Sequence, residues 1–191
     1  MLPFASAIVL LLGSSAMTSA GTPSTIAIDN FGRINDAYYR GAQPQGRDYE
    51  DLAALGVKTV VDLTATDEAS ADEPAAVAKA GMKLVRIPLS THDEPSSAAI
   101  TKFLAVVNNP ANQPVYVHCQ GGRHRTGALT AVYRMTHDGW TPDRAFAEMQ
   151  QYKFGPAFLH TSLKNFVYGY TAATPVAGTP AATPAKNAGS Y

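Results

Sequence analysis

The chain has a single cysteine, Cys119, so no internal disulfide can form. A lone cysteine is often no more than a small buried apolar residue, and whether this one is chemical depends on its neighbours. Neither sign of charge is in excess: 15 Lys+Arg balance 15 Asp+Glu. That balance argues against nucleic acid or an anionic membrane as the main partner, and any anion site must be built locally. A long apolar run is also missing. The stretch Ala7 to Leu12 is too short for a membrane span, so no stable insertion is expected. No Lys or Arg precedes it, and the terminal amine alone supplies positive charge there.

What is present at the N-terminus reads as a secretory signal over residues 1–20. The apolar stretch is followed by small and polar residues ending Thr18-Ser19-Ala20, and cleavage is expected near Ala20. Export to the periplasm or beyond follows, with a cytoplasmic location as the alternative. Gly21, not a cysteine, follows the expected cleavage site, so no lipid anchor is expected there. Residues 21–30 read as a linker and 31–170 as one domain. Residues 171–191 repeat Thr-Pro among Ala and Gly, and this tail is expected to be disordered.

Inside the domain, strand and helix signals alternate. Ala37 to Arg40 reads as a short strand and Asp48 to Leu55 as a helix ended by Gly56. Val57 to Leu63 is a continuous buried-strand run. A helix over Asp72 to Ala80 and a strand over Met82 to Ile87 come next. Ser96 to Asn108 is amphipathic, with Ile100, Phe103, Leu104 and Val107 on one face. Pro114 to His118 is an apolar strand and Thr126 to His137 a helix. Thr141-Pro142-Asp143 opens another helix, and Leu159, Leu163, Phe166, Val167 and Tyr170 mark a last one. The fold class is therefore α/β: a single domain with a mainly parallel central sheet flanked by helices. Such sheets bind ligands beyond the carboxyl ends of their strands.

The strand Pro114 to His118 runs into Cys119-Gln120-Gly121-Gly122-Arg123-His124-Arg125, which runs into a helix. A helix N-terminus and nearby cations favour the thiolate, the nucleophilic form of cysteine. Gly121 and Gly122 let successive N–H groups turn inward as an anion nest, with Gln120, Arg123 and His124 completing the cradle. Arg125, six positions after the cysteine, carries a planar fork that binds two phosphoryl oxygens together. Thr126 either caps the helix or hydrogen-bonds the sulfur. His118 orients the loop through a hydrogen bond, or is simply packed at the strand end.

His118 to Gly127 resembles the signature loop of the protein tyrosine phosphatase superfamily, His-Cys-x5-Arg-(Ser/Thr)-Gly, in the manner of the small dual-specificity phosphatases. The stretch Ala37-Tyr38-Tyr39-Arg40-Gly41-Ala42-Gln43-Pro44 resembles the Tyr-Arg-Ser-Gly-Gln-Pro opening of many such proteins, and Val60-Val61-Asp62-Leu63 their next strand. The resemblance covers roughly Phe31 to Tyr170. It implies a Cys-based phosphatase fold and a two-step route through a phosphocysteine, with no metal or cofactor. Phosphorylated proteins or small phosphorylated molecules are the implied substrates, and nothing indicates the oligomeric state. The mid-chain loop is unlike the low-molecular-weight branch. Rhodanese-type sulfurtransferases lack the Arg-Thr-Gly ending.

In this superfamily the general acid is usually an Asp on an upstream loop. Asp93, in Leu89-Ser90-Thr91-His92-Asp93-Glu94-Pro95, is the first candidate and Glu94 its rival. Asp62, Asp67 and Glu68 follow another strand and are placed to rim the pocket, although Asp62 reads better as a buried structural residue. Gln120-Gly121-Gly122-Arg123-His124 is similar to the Lys-Arg-Gly-Lys-His of plant and fungal members that cleave inositol pyrophosphates. Here Gln120 and Gly121 replace two cations, which weakens that substrate. Arg33, Arg40 and Arg47 are other sources of charge, each more simply read as a surface residue.

Overall fold

The computed structural model describes residues 26–171. The expected leader over residues 1–20, the first half of the expected linker and nearly all of the expected tail lie outside them. Five strands form one sheet in the order β1-β2-β5-β3-β4. The strands are β1 (Gly32–Asn35), β2 (Tyr38–Gly41), β3 (Thr59–Asp62), β4 (Lys83–Arg86) and β5 (Val115–His118). Only β1 pairs antiparallel; β2, β5, β3 and β4 run parallel. The mainly parallel sheet flanked by helices is thus present. The antiparallel edge strand β1 is an addition, because Gly-Arg-Ile-Asn carries too weak a β pattern to be legible alone.

The helices cover both faces. Helices α1 (Asp48–Ala54) and α2 (Glu73–Lys79) lie on one side. On the other are α3 (Ser97–Val107), α4 (Arg125–His137), α5 (Pro142–Gln151) and α6 (Thr161–Gly169). Short 3-10 turns occupy Pro110–Asn112 and Ala157–His160. The Thr141 hydroxyl accepts from the Arg144 N–H at 3.3 Å with Pro142 at the first helical position, as its sequence requires. Among the described residues no helix is long and apolar enough to cross a membrane.

The two-residue period of a strand sorts the central strand β5 onto two cores. Val115 and Val117 enter the α3–α6 core, while Tyr116 enters the α1–α2 core. Burying each such apolar side chain contributes about 1.5–3 kcal/mol. The same alternation sends His118 toward α2 and the next residue, Cys119, toward α4. Two adjacent residues of the signature loop therefore belong to different sides of the molecule.

Two boundary readings change. Residues 26–30 are not linker: Ile28 is buried in the α1–α2 core, and Asn30 hydrogen-bonds the Cys119 loop. The domain begins before Phe31 because this segment covers an apolar face. At the other end Leu159 lies in a 3-10 turn with 61% exposure, whereas Leu163, Phe166 and Val167 of α6 are buried. Leu159 is outside the helical face its spacing suggested.

Candidate active site

β5 delivers the loop Cys119 to His124 at the carboxyl edge of the sheet, and the loop opens directly into the 13-residue helix α4. Cys119 is free and buried. Among the described residues, none of the backbone N–H groups from Gln120 to Arg125 has a protein acceptor. These donors, beside the N-terminal dipole of α4, are available to an anion.

The loop is held from below by residues the sequence did not reveal as partners. Gly122 has φ 62° and sits against the backbone of Gly41; a Cβ there would lie 2.3 Å from the Gly41 carbonyl. The Gly122 carbonyl accepts from Arg40 Nη2 at 2.6 Å and from Asn30 Nδ2 at 2.8 Å. The Gln43 N–H donates to the Gln120 carbonyl at 3.1 Å. Arg40 is fully buried, with its guanidinium 3.9 Å from the Tyr152 ring centroid. Its reading as a surface residue is corrected. The Tyr152 ring and the Gly122 turn of the Cys119 loop cover the face of β2 on which Arg40 stands, so its guanidinium has no route to solvent. Burial lowers the Arg40 pKa, while the neighbouring Tyr38, Tyr152, Glu148 and Cys119 oppose that shift. Arg33 and Arg47 are exposed, as expected.

Arg125 is buried in the first turn of α4. Its Nη1 donates to Glu68 Oε2 at 2.8 Å and to the Leu89 carbonyl at 3.3 Å. Glu68 therefore does rim the site, as its place after β3 implied. Arg123 points elsewhere, with Nη2 3.4 Å from Asp29 Oδ2. Asp29 also accepts from Lys153, and that hydrogen bond heads the contacts that lower its pKa. The His124 ring lies 2.9 Å from the Phe154 carbonyl and packs on His160 with centroids 3.6 Å apart. Burial first, then His160, lowers the His124 pKa, which keeps the imidazole neutral at pH 7. Arg123 and His124 thus offer backbone N–H groups to an anion, and Arg125 supplies the directed charge.

Thr126 is the second residue of α4 and fully buried, and its hydroxyl has no partner among the described residues. It does not cap the helix. His118 is fully buried, with Nε2 3.0 Å from Glu73 Oε1 and Nδ1 4.0 Å from Asp62 Oδ1. Asp62 is buried, and its Oδ1 accepts the Thr64 N–H at 2.8 Å, which fits the structural reading.

The upstream acid loop leaves the carboxyl end of β4. His92, Asp93 and Glu94 are all exposed, and Pro95 is buried. Glu94 lines a groove with Ile100 of α3 and Phe166 of α6; Asp93 does not.

A parallel sheet ending in a nucleophilic loop, a helix N-terminus and a buried arginine define a Cys-based phosphatase fold. The chain belongs to the family described as "DSP-PTPase phosphatase fused to NAD+ Kinase", whose pattern matches residues 23–165. Inositol diphosphatase SIW14 of Saccharomyces cerevisiae is 31% identical over 68% of this chain and 47% of its own length. Dual specificity protein phosphatase TpbA of Pseudomonas aeruginosa is 33% identical over 74% of this chain and 61% of its own. The chain therefore spans about half to three-fifths of the length of these curated relatives. Among solved structures, the core catalytic domain of SIW14 in complex with citrate matches with TM-score 0.67 at 28% identity, covering 78% of this chain and 89% of that one. TpbA in complex with pTyr matches with TM-score 0.63 at 29% identity, covering 78% and 87%.

Proposed function

We propose that this protein is a cysteine-dependent phosphatase that hydrolyses phosphate monoesters through a phosphocysteine. The observation that carries the reading is the run of loop N–H groups without protein acceptors that directly follows a buried thiol and ends at the buried Arg125, at the start of α4. The Cys119 thiolate attacks phosphorus while the ester P–O bond breaks, and the leaving oxygen takes a proton from Asp93. Water then attacks the phosphocysteine. Asp93 takes the water proton, the S–P bond breaks, and phosphate leaves with Cys119 again a thiolate. Arg125 exchanges Glu68 for two phosphoryl oxygens, and the loop N–H groups hold the charge that develops in each transition state. The Thr126 hydroxyl is free to donate to the departing sulfur. Export of the enzyme is part of the same proposal, on the strength of residues 1–20.

The rim favours an aromatic phosphoester. Phe158 (77% exposed) and Leu159 stand in the turn that carries His160 onto the loop residue His124. With Arg123 held by Asp29, no directed cation beyond Arg125 awaits a second phosphate among the loop's own side chains. The second reading is an inositol pyrophosphate phosphatase, supported by the likeness to SIW14. A panel of phosphotyrosine peptides, phosphothreonine peptides and inositol pyrophosphates separates the two. The expected order of kcat/KM places phosphotyrosine peptides first. Inositol pyrophosphates first by tenfold would replace the leading reading with the second.

A further inference from the structure

The Gly122 carbonyl is held by two donors at once, and one of them is a buried cation that the mechanism above leaves unused. Arg40 is fully buried in β2, and its Nη2 donates to that carbonyl at 2.6 Å. Asn30 Nδ2 takes the second lone pair at 2.8 Å. Arg40 belongs to none of the ion pairs among the described residues. Its Nε and Nη1 have no hydrogen-bond partner among them, and its guanidinium lies over the Tyr152 ring. A guanidinium stays charged in a protein even where burial opposes the charge. Burying it without a carboxylate costs free energy that an apolar residue of similar size avoids. Fold stability therefore does not account for a cation at this position.

The geometry of one peptide unit shows where the charge acts. Among the described residues only the Gln113–Pro114 bond is cis, so the Gly122–Arg123 peptide is trans and planar. In such a unit the C=O and the N–H point in opposite directions. With its carbonyl turned back onto Arg40 and Asn30, this unit directs the Arg123 N–H to the other side of the loop. That N–H is one of the donors without a protein acceptor. A cation that donates to the carbonyl oxygen polarises the amide and makes its N–H a stronger donor. The Arg123 side chain is drawn off to Asp29, so residue 123 meets an anion through its backbone.

We infer that Arg40 is a positioning residue for phosphate binding: from behind the loop it fixes and polarises the Gly122–Arg123 peptide, and so aims the Arg123 N–H at a phosphoryl oxygen. This deepens the proposed phosphatase reading and rests on it. Arg40 itself does not reach the substrate. Its charge is relayed through a single peptide unit, which the positive φ of Gly122 and its close approach to Gly41 keep in one orientation.

Inorganic phosphate is the probe, because its binding needs neither a leaving group nor a proton donor. In amide 1H–15N spectra of the wild type, phosphate is expected to move the Arg123 proton downfield. Arg40→Met replaces the cation by an apolar chain. In that variant the Arg123 shift is expected to shrink and the Kd for phosphate to rise about tenfold. Its kcat/KM is expected to fall by the same factor for aryl and alkyl phosphates, since both present the same phosphoryl oxygens. A folded Arg40→Met protein with unchanged phosphate affinity would overturn the inference. A loss of shift spread evenly over the amides from Gln120 to Arg125 would overturn it too, because that marks a general loosening of the loop. Should Arg40→Met not fold, the wild type decides, since coupling between two bonds to one peptide is reciprocal. Saturating phosphate is expected to move the Arg40 Nη2 protons downfield, and an Arg40 signal indifferent to phosphate overturns the inference. A wild type that shows the coupling yet hydrolyses neither ester would leave the role of Arg40 standing and sink the hydrolytic reading instead.

Discussion

Two loops leave the carboxyl ends of parallel strands here, one after β5 and one after β4, and they are held very differently. The Cys119 loop is pinned at Gly122 by Arg40 and Asn30 and at Gln120 by Gln43. The Leu89 to Ser96 loop exposes His92, Asp93 and Glu94, and its inward hydrogen bonds lie at its start, where the Leu89 N–H donates to the Leu63 carbonyl and the Leu89 carbonyl accepts from Arg125. The difference follows the chemistry that each must do. A nucleophile and a set of phosphate donors work by being in place before the substrate arrives, because reorganising dipoles during reaction forfeits their benefit. A proton donor has to approach the leaving oxygen and then the attacking water, so a loosely tied loop suits it.

The comparison breaks first at Arg125. Arg125→Lys keeps a charge in the rigid loop but loses the planar fork, and kcat/KM is expected to fall about 10²–10³-fold. A loss below fivefold would mean that the loop N–H groups alone hold the phosphoryl oxygens. The loosely tied loop is sharpened by Asp93→Asn. Turnover of an alkyl phosphate is expected to drop about 10²-fold, and that of an aryl phosphate with a good leaving group only a few-fold. Equal losses on both substrates would remove Asp93 from the acid role and point to another group on that loop.

Much of the pinned region could be read directly from the chain. A β-branched strand, two glycines, Arg-Thr-Gly and a helix share one short segment, and local sequence carries all of them. The acid loop was legible as a loop following a strand, and Asp93 and Glu94 are both exposed on it. The supports of the nucleophile were not legible. Arg40 reads as a surface cation because nothing in Tyr-Tyr-Arg-Gly reveals that Tyr152 and the Gly122 turn will close over it. Glu73 reads as an ordinary first-turn acid of α2 until the sheet brings His118 beside it. Asn30 falls in a stretch that looks like linker, yet its amide donates both to Gly122 and to the Tyr152 carbonyl. Each depends on a contact between distant parts of the chain, and periodicity within one element does not encode it.

The comparison between a pinned and a loose loop depends on Cys119 being the group that takes the phosphoryl. Rapid acid quench of the enzyme with an aryl phosphate, in the presence of a chelator, followed by peptide mass spectrometry, tests this directly. The expected result is a phosphoryl group on Cys119 in the wild type, with no phosphoenzyme and turnover reduced at least about 10³-fold in Cys119→Ser. Undiminished turnover in Cys119→Ser, or phosphate trapped on another residue, would contradict the account.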